Sequence, residues 1–135
     1  MKLQLKKEEI IPYLVYDLKV MDLYDNKERF FVGYSINHTE PVKISVYKNL
    51  LSTGRLLSEV KPILRPLSSF EKKSCLELMK TFNCSMEIIH EVWKLIQGEI
   101  KLEDITLKTY NMMCKKHIDF KRLIEKGLAI DINTI

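Results

Sequence analysis

Cys114 and His117 have the spacing of a metal-binding pair, Cys-x-x-His. A structural zinc site needs four ligands, usually supplied as two close pairs. The remaining candidates do not form a second close pair: Cys75, Cys84, His38 and His90. Cys114 also falls on the apolar side of a predicted helix, where a free cysteine usually packs as a small hydrophobic residue. We therefore predict neither a metal site nor a cofactor.

The same two residues are the pair that most resembles a nucleophile and its base. A reactive thiolate needs a helix N-terminus or a fixed cation to lower the pKa of the thiol. Cys114 lies late in its predicted helix, where the helix dipole disfavours an anion. We therefore predict no catalytic residue here and expect a protein that is not an enzyme.

A group of carboxylates is the other candidate for catalysis. Glu87 and Glu91 lie four residues apart on one helix face with His90 beside them, and Glu103 and Asp104 follow nearby. A hydrolytic pair requires side chains that converge from separate elements into a cleft. A solvated helix face is the commoner meaning of this spacing. A deep pocket that joins a histidine to these carboxylates would favour an enzyme.

Phosphate-binding loops of the two glycine-rich types are excluded. The sequence contains four glycines, and none forms GxGxxG or GxxxxGK[ST]. They are Gly33, Gly54, Gly98 and Gly127.

The densest basic cluster lies near the C-terminus. Its members are Lys115, Lys116, Lys121, Arg122 and Lys126, interrupted by Asp119 and Glu125. As a nucleic-acid site it would supply phosphate contacts, and Arg65, between two prolines, would add stacking. Lysines near helix ends also stabilise the helix dipole. The net charge is +4, and the basic residues are interspersed with acidic ones. The composition therefore leaves nucleic-acid binding open but does not favour it. We mark as possible nucleic-acid or partner contacts Arg65, Lys115, Lys116, Lys121 and Arg122.

Length and composition indicate one globular domain spanning residues 1–135. The chain is 46% hydrophobic and 30% charged, which is ordinary for a folded soluble domain. The odd number of cysteines and the charged N-terminus, which has no apolar signal sequence, favour a reducing cytoplasm. No apolar run is long enough to cross a bilayer.

Residues 13–48 are predicted to be β-rich. A short amphipathic turn over 6–11 ends at Pro12, and alternating apolar residues then predict strands over 13–23, 29–36 and 42–47. Loops are predicted at 25–27 and 37–41. The simplest arrangement is an antiparallel meander of about three strands. Residues 49–60 are compatible with a short helix or with a loop that has apolar anchors.

Residues 61–67 form an extended crossing between the β-rich half and a helical half, 68–127. Pro62 and Pro66 fix their own φ angles and favour extended geometry in the preceding residues. Ile63 and Leu64, between them, are expected to be buried. Arg65 is expected either to pair with a carboxylate at the sheet–helix junction or to face a ligand.

The helical half is divided by capping and ending signals. The predicted N-caps are Ser68, which forms a capping box with Glu71, then Ser85, Asp104 or Thr106, and Asp119. The predicted ends are near Asn83, Gly98 and Gly127. Residues 128–132 alternate again and predict an edge strand or a packed tail. The predicted fold is therefore α+β: a small antiparallel sheet packed against three or four C-terminal helices.

Three segments resemble small uncharacterised phage and prophage proteins of Bacteroidetes-type bacteria. Residues 13–20 resemble a "YLPYGLK" opening, residues 61–68 a "KPILRPLS" centre, and residues 117–134 a "HFDVFGLIEKGLAIDINT" ending. The chain departs from this pattern at Val15 and Asp17, which replace Pro and Gly, and it lacks "VFG" after Phe120. With Asp at position 17, we expect no requirement for a positive φ there.

The resemblance implies a phage origin and carries over no residue roles. Small phage proteins commonly act by binding host or phage components, so it favours a non-enzymatic protein-binding module. Six tyrosines, five of them in the β-rich half, are compatible with an interface,. The alternative function is nucleic-acid binding by the basic C-terminal helices.

Overall fold

The computed structural model describes residues 4–35, 43–48 and 51–135. A short helix α1 (Lys7–Ile10) continues as a 3-10 helix (Ile11–Tyr16), and strands, helices and a last strand follow. The strands are β1 (Lys19–Asp22), β2 (Lys27–Ser35), β3 (Lys43–Lys48), β4 (Leu51–Leu56), β5 (Val60–Leu64) and β6 (Ile130–Asp131). The longer helices are α2 (Cys75–Phe82), α3 (Met86–Ile96) and α4 (Leu107–Lys115). The protein is α+β, as predicted.

The sheet has the strand order β4-β3-β2-β1-β5-β6, and only β5 and β6 pair in parallel. The first half of β2, up to Phe30, pairs with β1, and the second half, from Phe31, pairs with β3, with a register shift between Phe31 and Gly33. Strands β3 and β4 are therefore displaced along the direction of β2 relative to the rest of the sheet. We call residues 33–35, β3 and β4 the arm, and the remaining elements the body.

The first predicted strand, 13–23, is mostly wrong. Only Lys19–Asp22 is a strand, and the preceding residues form the 3-10 helix that contains Pro12. Tyr13 is fully buried there, and its hydroxyl donates to the Ile118 carbonyl at 2.6 Å. Asp17 ends this helix with φ at 55°, so the expectation of no positive φ at this position is also wrong.

The second and third predicted strands are confirmed as β2 and β3 over the described residues. Ile36, the loop at 37–41 and Val42 lie outside the described residues. The prediction for 49–60 is wrong over most of its described part, because Leu51–Leu56 is strand β4; a single 3-10 turn (Leu57–Glu59) follows it. Each β4 residue is paired with β3, from Leu51 opposite Lys48 to Leu56 opposite Lys43. The pairing with β3 therefore determines the structure here, although the local spacing of the leucines is compatible with a helix.

The predicted extended crossing begins as an interior strand. β5 pairs with β1 around Pro62 and with β6 at Ile63 and Leu64. Proline has no N–H to donate to a ladder, and Pro62 lies outside the two-residue pairing with β6. Leu64 is fully buried, as predicted. Beyond β5, the Arg65 N–H donates to His117 O and the Asp119 N–H to Arg65 O, both at 2.8 Å.

The first long helix starts later than predicted. Ser68 lies in a separate 3-10 turn (Leu67–Phe70), and the N-cap of α2 is Ser74, whose Oγ accepts from the Glu77 N–H at 3.2 Å. Ser74-x-x-Glu77 has the same capping-box pattern as the predicted one, six residues further on. The predicted end at Asn83 is confirmed, with φ at 51°.

The later helices follow the prediction in part. Ser85 caps α3 as predicted, and Gly98 follows its end with φ at 76°. Thr106 is the N-cap residue of α4, and Leu107, the first residue of this helix, is 72% exposed. The predicted fourth helix is wrong: residues 119–127 form consecutive turns.

The core lies between the helices and the β1–β5 part of the sheet. Its fully buried members come from both halves of the chain and include Ile10, Tyr13, Leu18, Val20, Leu64, Phe70, Leu78, Ile89, Val92, Met113, Ile118 and Leu123. Ile130–Asp131 forms the edge strand predicted for the C-terminal segment. Within the described ranges, no helix has the length and apolar character needed to cross a membrane.

Candidate functional site

A groove of about 240 Å³ lies between the α2–α3 junction and one face of α4. We call it the basic groove. Its lining residues are Tyr16, Phe82, Asn83, Cys84, Ile88, Lys108, Asn111, Met112, Lys115 and Lys116. This set contains three lysines and no carboxylate, together with two side-chain amides. The arrangement provides several hydrogen-bond donors and positive charges at one opening.

Each element places its groove residues by local geometry. Lys108, Asn111 and Lys115 recur at three- and four-residue spacing, so they share one face of α4. Asn83 occupies the left-handed C-cap position of α2, a conformation that asparagine tolerates better than most residues. Phe82 and Met112 are buried and contribute apolar surface to the groove.

The groove lysines are not neutralised by the described part of the chain. Lys108, Lys115 and Lys116 form no ion pair with any described residue. Lys116 lies close enough to the Cys84 thiol to lower its pKa, although burial and Cys75 raise that pKa overall, with burial the largest cause. The groove is therefore a place of uncompensated positive charge.

Arg65 adjoins the basic groove through one wall residue. Its guanidinium carbon lies 5.5 Å from the centroid of the Phe82 ring, which also stacks on Phe70 at 4.5 Å. The Arg65 Nε is buried without a hydrogen-bond partner. Among the described residues Arg65 forms no ion pair, so the expected carboxylate partner is not found there. A cation–π contact replaces it.

The other two predicted contacts, Lys121 and Arg122, do not line this groove. Arg122 donates to Glu125 Oε1 at 3.3 Å and to the Ile96 carbonyl at 3.5 Å. Ile96 ends α3, about 12 Å along the helix axis from Ile88 in the groove wall. The predicted basic cluster is thus divided between two places.

Cys114 and His117 have structural contacts. Cys114 is buried, and its burial raises the pKa of the thiol. His117 Nε2 hydrogen-bonds with the Tyr16 carbonyl at 2.5 Å and holds the N-terminal 3-10 helix against the body. Among the described residues, no three or more His, Cys, Asp or Glu side chains are arranged to hold a metal ion.

A second groove, of about 360 Å³, gathers the predicted carboxylates. It is lined by Glu87, His90, Glu91, Lys94, Ile100 and Asp104. Residues from α3 and from the 3-10 helix Leu102–Asp104 do converge here, which the sequence left open. Most of its charged residues are exposed. Glu91 Oε1 accepts the Thr106 N–H at the start of α4, and His90 stacks on Trp93.

This second groove is open to solvent, since most of its lining residues are exposed. Its best-placed carboxylate caps a helix that has no side-chain cap of its own. Capping of this kind satisfies an N-terminal backbone donor and complements the helix dipole. The contact gives Glu91 a structural role at the start of α4.

The outer side of β4 is a third feature. β4 pairs with β3 along all six residues and with no other strand among the described elements. The main contacts of β3 and β4 are with neighbouring strands, while the helices pack on the body. An edge strand exposes a row of backbone N–H and C=O groups that another chain can pair with.

Sequence reasoning missed four polar groove residues: Tyr16, Asn83, Lys108 and Asn111. The spacing Lys108, Asn111, Lys115 was a usable signal, because it marks one polar face of a helix. Asn83 and Tyr16 come from distant segments, and no sequence pattern joins them to α4.

The comparisons with known proteins found no similarity. No family model matches the chain, and no curated protein or solved structure is significantly similar to it. The function of the protein is therefore inferred from the geometry of the described residues.

Proposed function

We propose that this protein is a non-enzymatic protein-binding module that pairs an extended segment of its partner with β4. The observation that carries this proposal is the six-residue edge strand β4, whose outer side pairs with no strand in the described part of the chain. Six residues extend over about 20 Å, enough for several backbone hydrogen bonds to a partner strand. Strand addition of this kind derives affinity from the main chain and specificity from alternate side chains.

The two edges of the sheet differ in their suitability. β6, at the other edge, has two residues and offers too little backbone for a partner strand. Proteins often protect edge strands with prolines or several charged residues. The sequence of β4, Leu-Ser-Thr-Gly-Arg-Leu, has no proline and one charge, Arg55. β4 is thus the less protected edge.

The resemblance to phage and prophage proteins supports a host or phage protein as the partner. We propose an accessory protein of phage origin that acts in the bacterial cytoplasm on a host or phage protein. Nucleic-acid binding is the alternative, and the division of the basic cluster between two places supports it less well than the edge strand supports protein binding.

The test uses neighbouring proline variants. In an antiparallel pair, consecutive residues direct their N–H groups alternately toward and away from the neighbouring strand. Of Thr53 and Gly54, one therefore donates to β3 and the other faces outward. Proline at the outward position removes a donor from the free edge and leaves the β3–β4 ladder in place.

A photo-crosslinking residue at position 52 is expected to capture the partner from host lysate, and the captured protein is then purified for titration. Both proline variants are expected to weaken its binding at least about tenfold, a loss of about 1.4 kcal/mol. The matched variant Thr53→Ala keeps the backbone and is expected to stay within about threefold. Equal affinity of the wild type and both proline variants would exclude strand addition. Length-dependent binding of nucleic acid without a protein partner would favour the alternative.

A further inference from the structure

We propose that the basic groove is a binding site for a phosphate or pyrophosphate group, separate from the β4 edge. Lys108, Lys115 and Lys116 converge on one opening from the two ends of α4. Three ammonium groups match the two to three negative charges of such an anion. Asn83 and Asn111 line the same opening and offer uncharged donors.

The position of Lys108 argues against a purely structural role. Lys115 and Lys116 lie at the C-terminal end of α4, where a cation stabilises the helix dipole,. Lys108 lies in the first turn of the same helix, where the dipole disfavours a cation, and no acidic residue accompanies it in that turn. A bound anion would offset this unfavourable placement.

The absence of competing carboxylates gives the second argument. Three cations elsewhere among the described residues form ion pairs: Lys19 with Glu28, Arg29 with Asp22 and Asp25, and Arg122 with Glu125. The three groove lysines form no ion pair with the described residues, and none of the described residues that line the groove is a carboxylate. An entering anion therefore meets no competing internal partner.

The shape of the groove limits the ligand. Its volume of about 240 Å³ is below the usual range for drug-sized ligands. The buried side chains of Phe82 and Met112 form apolar wall, and Arg65 lies on the Phe82 ring. The site fits a phosphate group that is free or carried on a small molecule.

The test is a calorimetric titration with inorganic phosphate and with pyrophosphate at constant ionic strength. The groove variant combines Lys108→Gln, Lys115→Gln and Lys116→Gln. A matched variant with the same loss of charge combines Lys121→Gln, Arg122→Gln and Lys126→Gln. The Trp93 fluorescence of each variant confirms that the body is folded.

We expect saturable binding by the wild type, weakened at least about tenfold in the groove variant because charge-assisted hydrogen bonds are lost. The matched variant is expected to change affinity by less than about twofold, since distant exposed charges are screened. Side-chain amide signals of Asn83 and Asn111 are expected to shift on titration.

Five outcomes decide the proposal. Tighter binding of a nucleoside phosphate than of pyrophosphate supports it and assigns the phosphate to a nucleotide; the reverse supports a free anion. Absence of saturable binding up to about 10 mM, weaker than any specific affinity of interest, overturns it. Equal weakening in the two variants, or affinity that rises steadily with the length of single-stranded DNA, also overturns it, the latter in favour of a nucleic-acid interface.

Discussion

The body and the arm are held together by different kinds of contact. In the body, residues far apart in sequence meet: the Tyr13 hydroxyl donates to Ile118 O, and Trp93 Nε1 donates to Phe70 O, both at 2.6 Å. In the arm, the main contacts are ladders between strands that are adjacent in sequence. Stability is therefore concentrated in the body, and backbone available for pairing is concentrated in the arm.

The largest effect is expected from a cavity in the body. Leu64→Ala removes a fully buried side chain from β5 and is expected to lower the free energy of unfolding by about 2–5 kcal/mol. Urea unfolding followed by Trp93 fluorescence measures it. The same substitution at Leu107, which is 72% exposed, is the control and is expected to change stability by less than about 0.5 kcal/mol. Equal effects at both positions would contradict this description of the core.

A smaller loss is expected at the contact that joins the N-terminal segment to the body. Tyr13→Phe keeps the ring and removes the hydroxyl, leaving the Ile118 carbonyl without this donor. The Phe120 N–H still donates to this carbonyl at 3.0 Å, so the expected loss is the net value of one hydrogen bond, about 0.5–1.5 kcal/mol. The same urea experiment measures it. An unchanged free energy of unfolding would mean that this long-range contact does not stabilise the body.

Asp119 gives the body a pH dependence whose sign can be checked. Burial is the largest cause of a raised pKa for its carboxyl, opposed by the N–H groups of Ile124 and Leu123, which donate at 2.8 and 2.7 Å. Because the folded pKa lies above the unfolded value of about 3.9, the folded state binds this proton more tightly. The stabilisation that the protonated Asp119 carboxyl gives the folded state is complete below that pH and is lost as the pH rises through the folded pKa.

The measurement compares the wild type with Asp119→Asn. The free energy of unfolding of the wild type minus that of the variant is expected to fall as the pH rises above the unfolded pKa of about 3.9. A variant without a titratable change, Ser74→Ala, is expected to show a difference from the wild type that is constant with pH. A difference for Asp119→Asn that rises with pH would contradict the sign.

Helix capping provides a test at the next smaller scale. Ser74→Ala removes the side-chain acceptor of the Glu77 N–H and is expected to cost about 1 kcal/mol. Ser68→Ala is the control, since Ser68 has the same capping-box sequence but makes no side-chain cap contact with the 3-10 turn that contains it. It is expected to cost less than about 0.5 kcal/mol. A larger loss of stability for Ser68→Ala than for Ser74→Ala would indicate that the helix starts at Ser68, as the sequence predicts.

The capping pair shows why sequence predicted the body better in outline than in detail. Ser85 and the end at Asn83 were read correctly because caps are local signals. Ser68 was read wrongly because two identical signals six residues apart cannot be ranked without knowing that Phe70 is fully buried. The local sequence around Tyr13 favours a strand. Its hydrogen bond to the Ile118 carbonyl joins residues far apart in the chain, so no local pattern predicts it.

The basic groove and β4 illustrate the same limit. Lys115 and Lys116 were singled out from the sequence, but the groove needs Asn83 and Tyr16 from other elements. The leucines of 49–60 gave no clear period, and only pairing with β3 defines the strand there. Local patterns identified elements, while neighbours distant in sequence determined which side chains meet.

The smallest effect on the body is expected from breaking the arm. Proline at whichever of Thr53 and Gly54 donates to β3 removes a ladder hydrogen bond opposite Val46 or Ser45,. Since the main contacts of β4 are with β3, unfolding of the body reported by Trp93 is expected to change by less than about 0.5 kcal/mol. Amide exchange at Ser45 and Val46 is expected to accelerate while exchange at Val20 and Leu64 does not, because local opening of the arm leaves the body closed. A loss of body stability comparable to that of Leu64→Ala would mean that arm and body unfold as one unit.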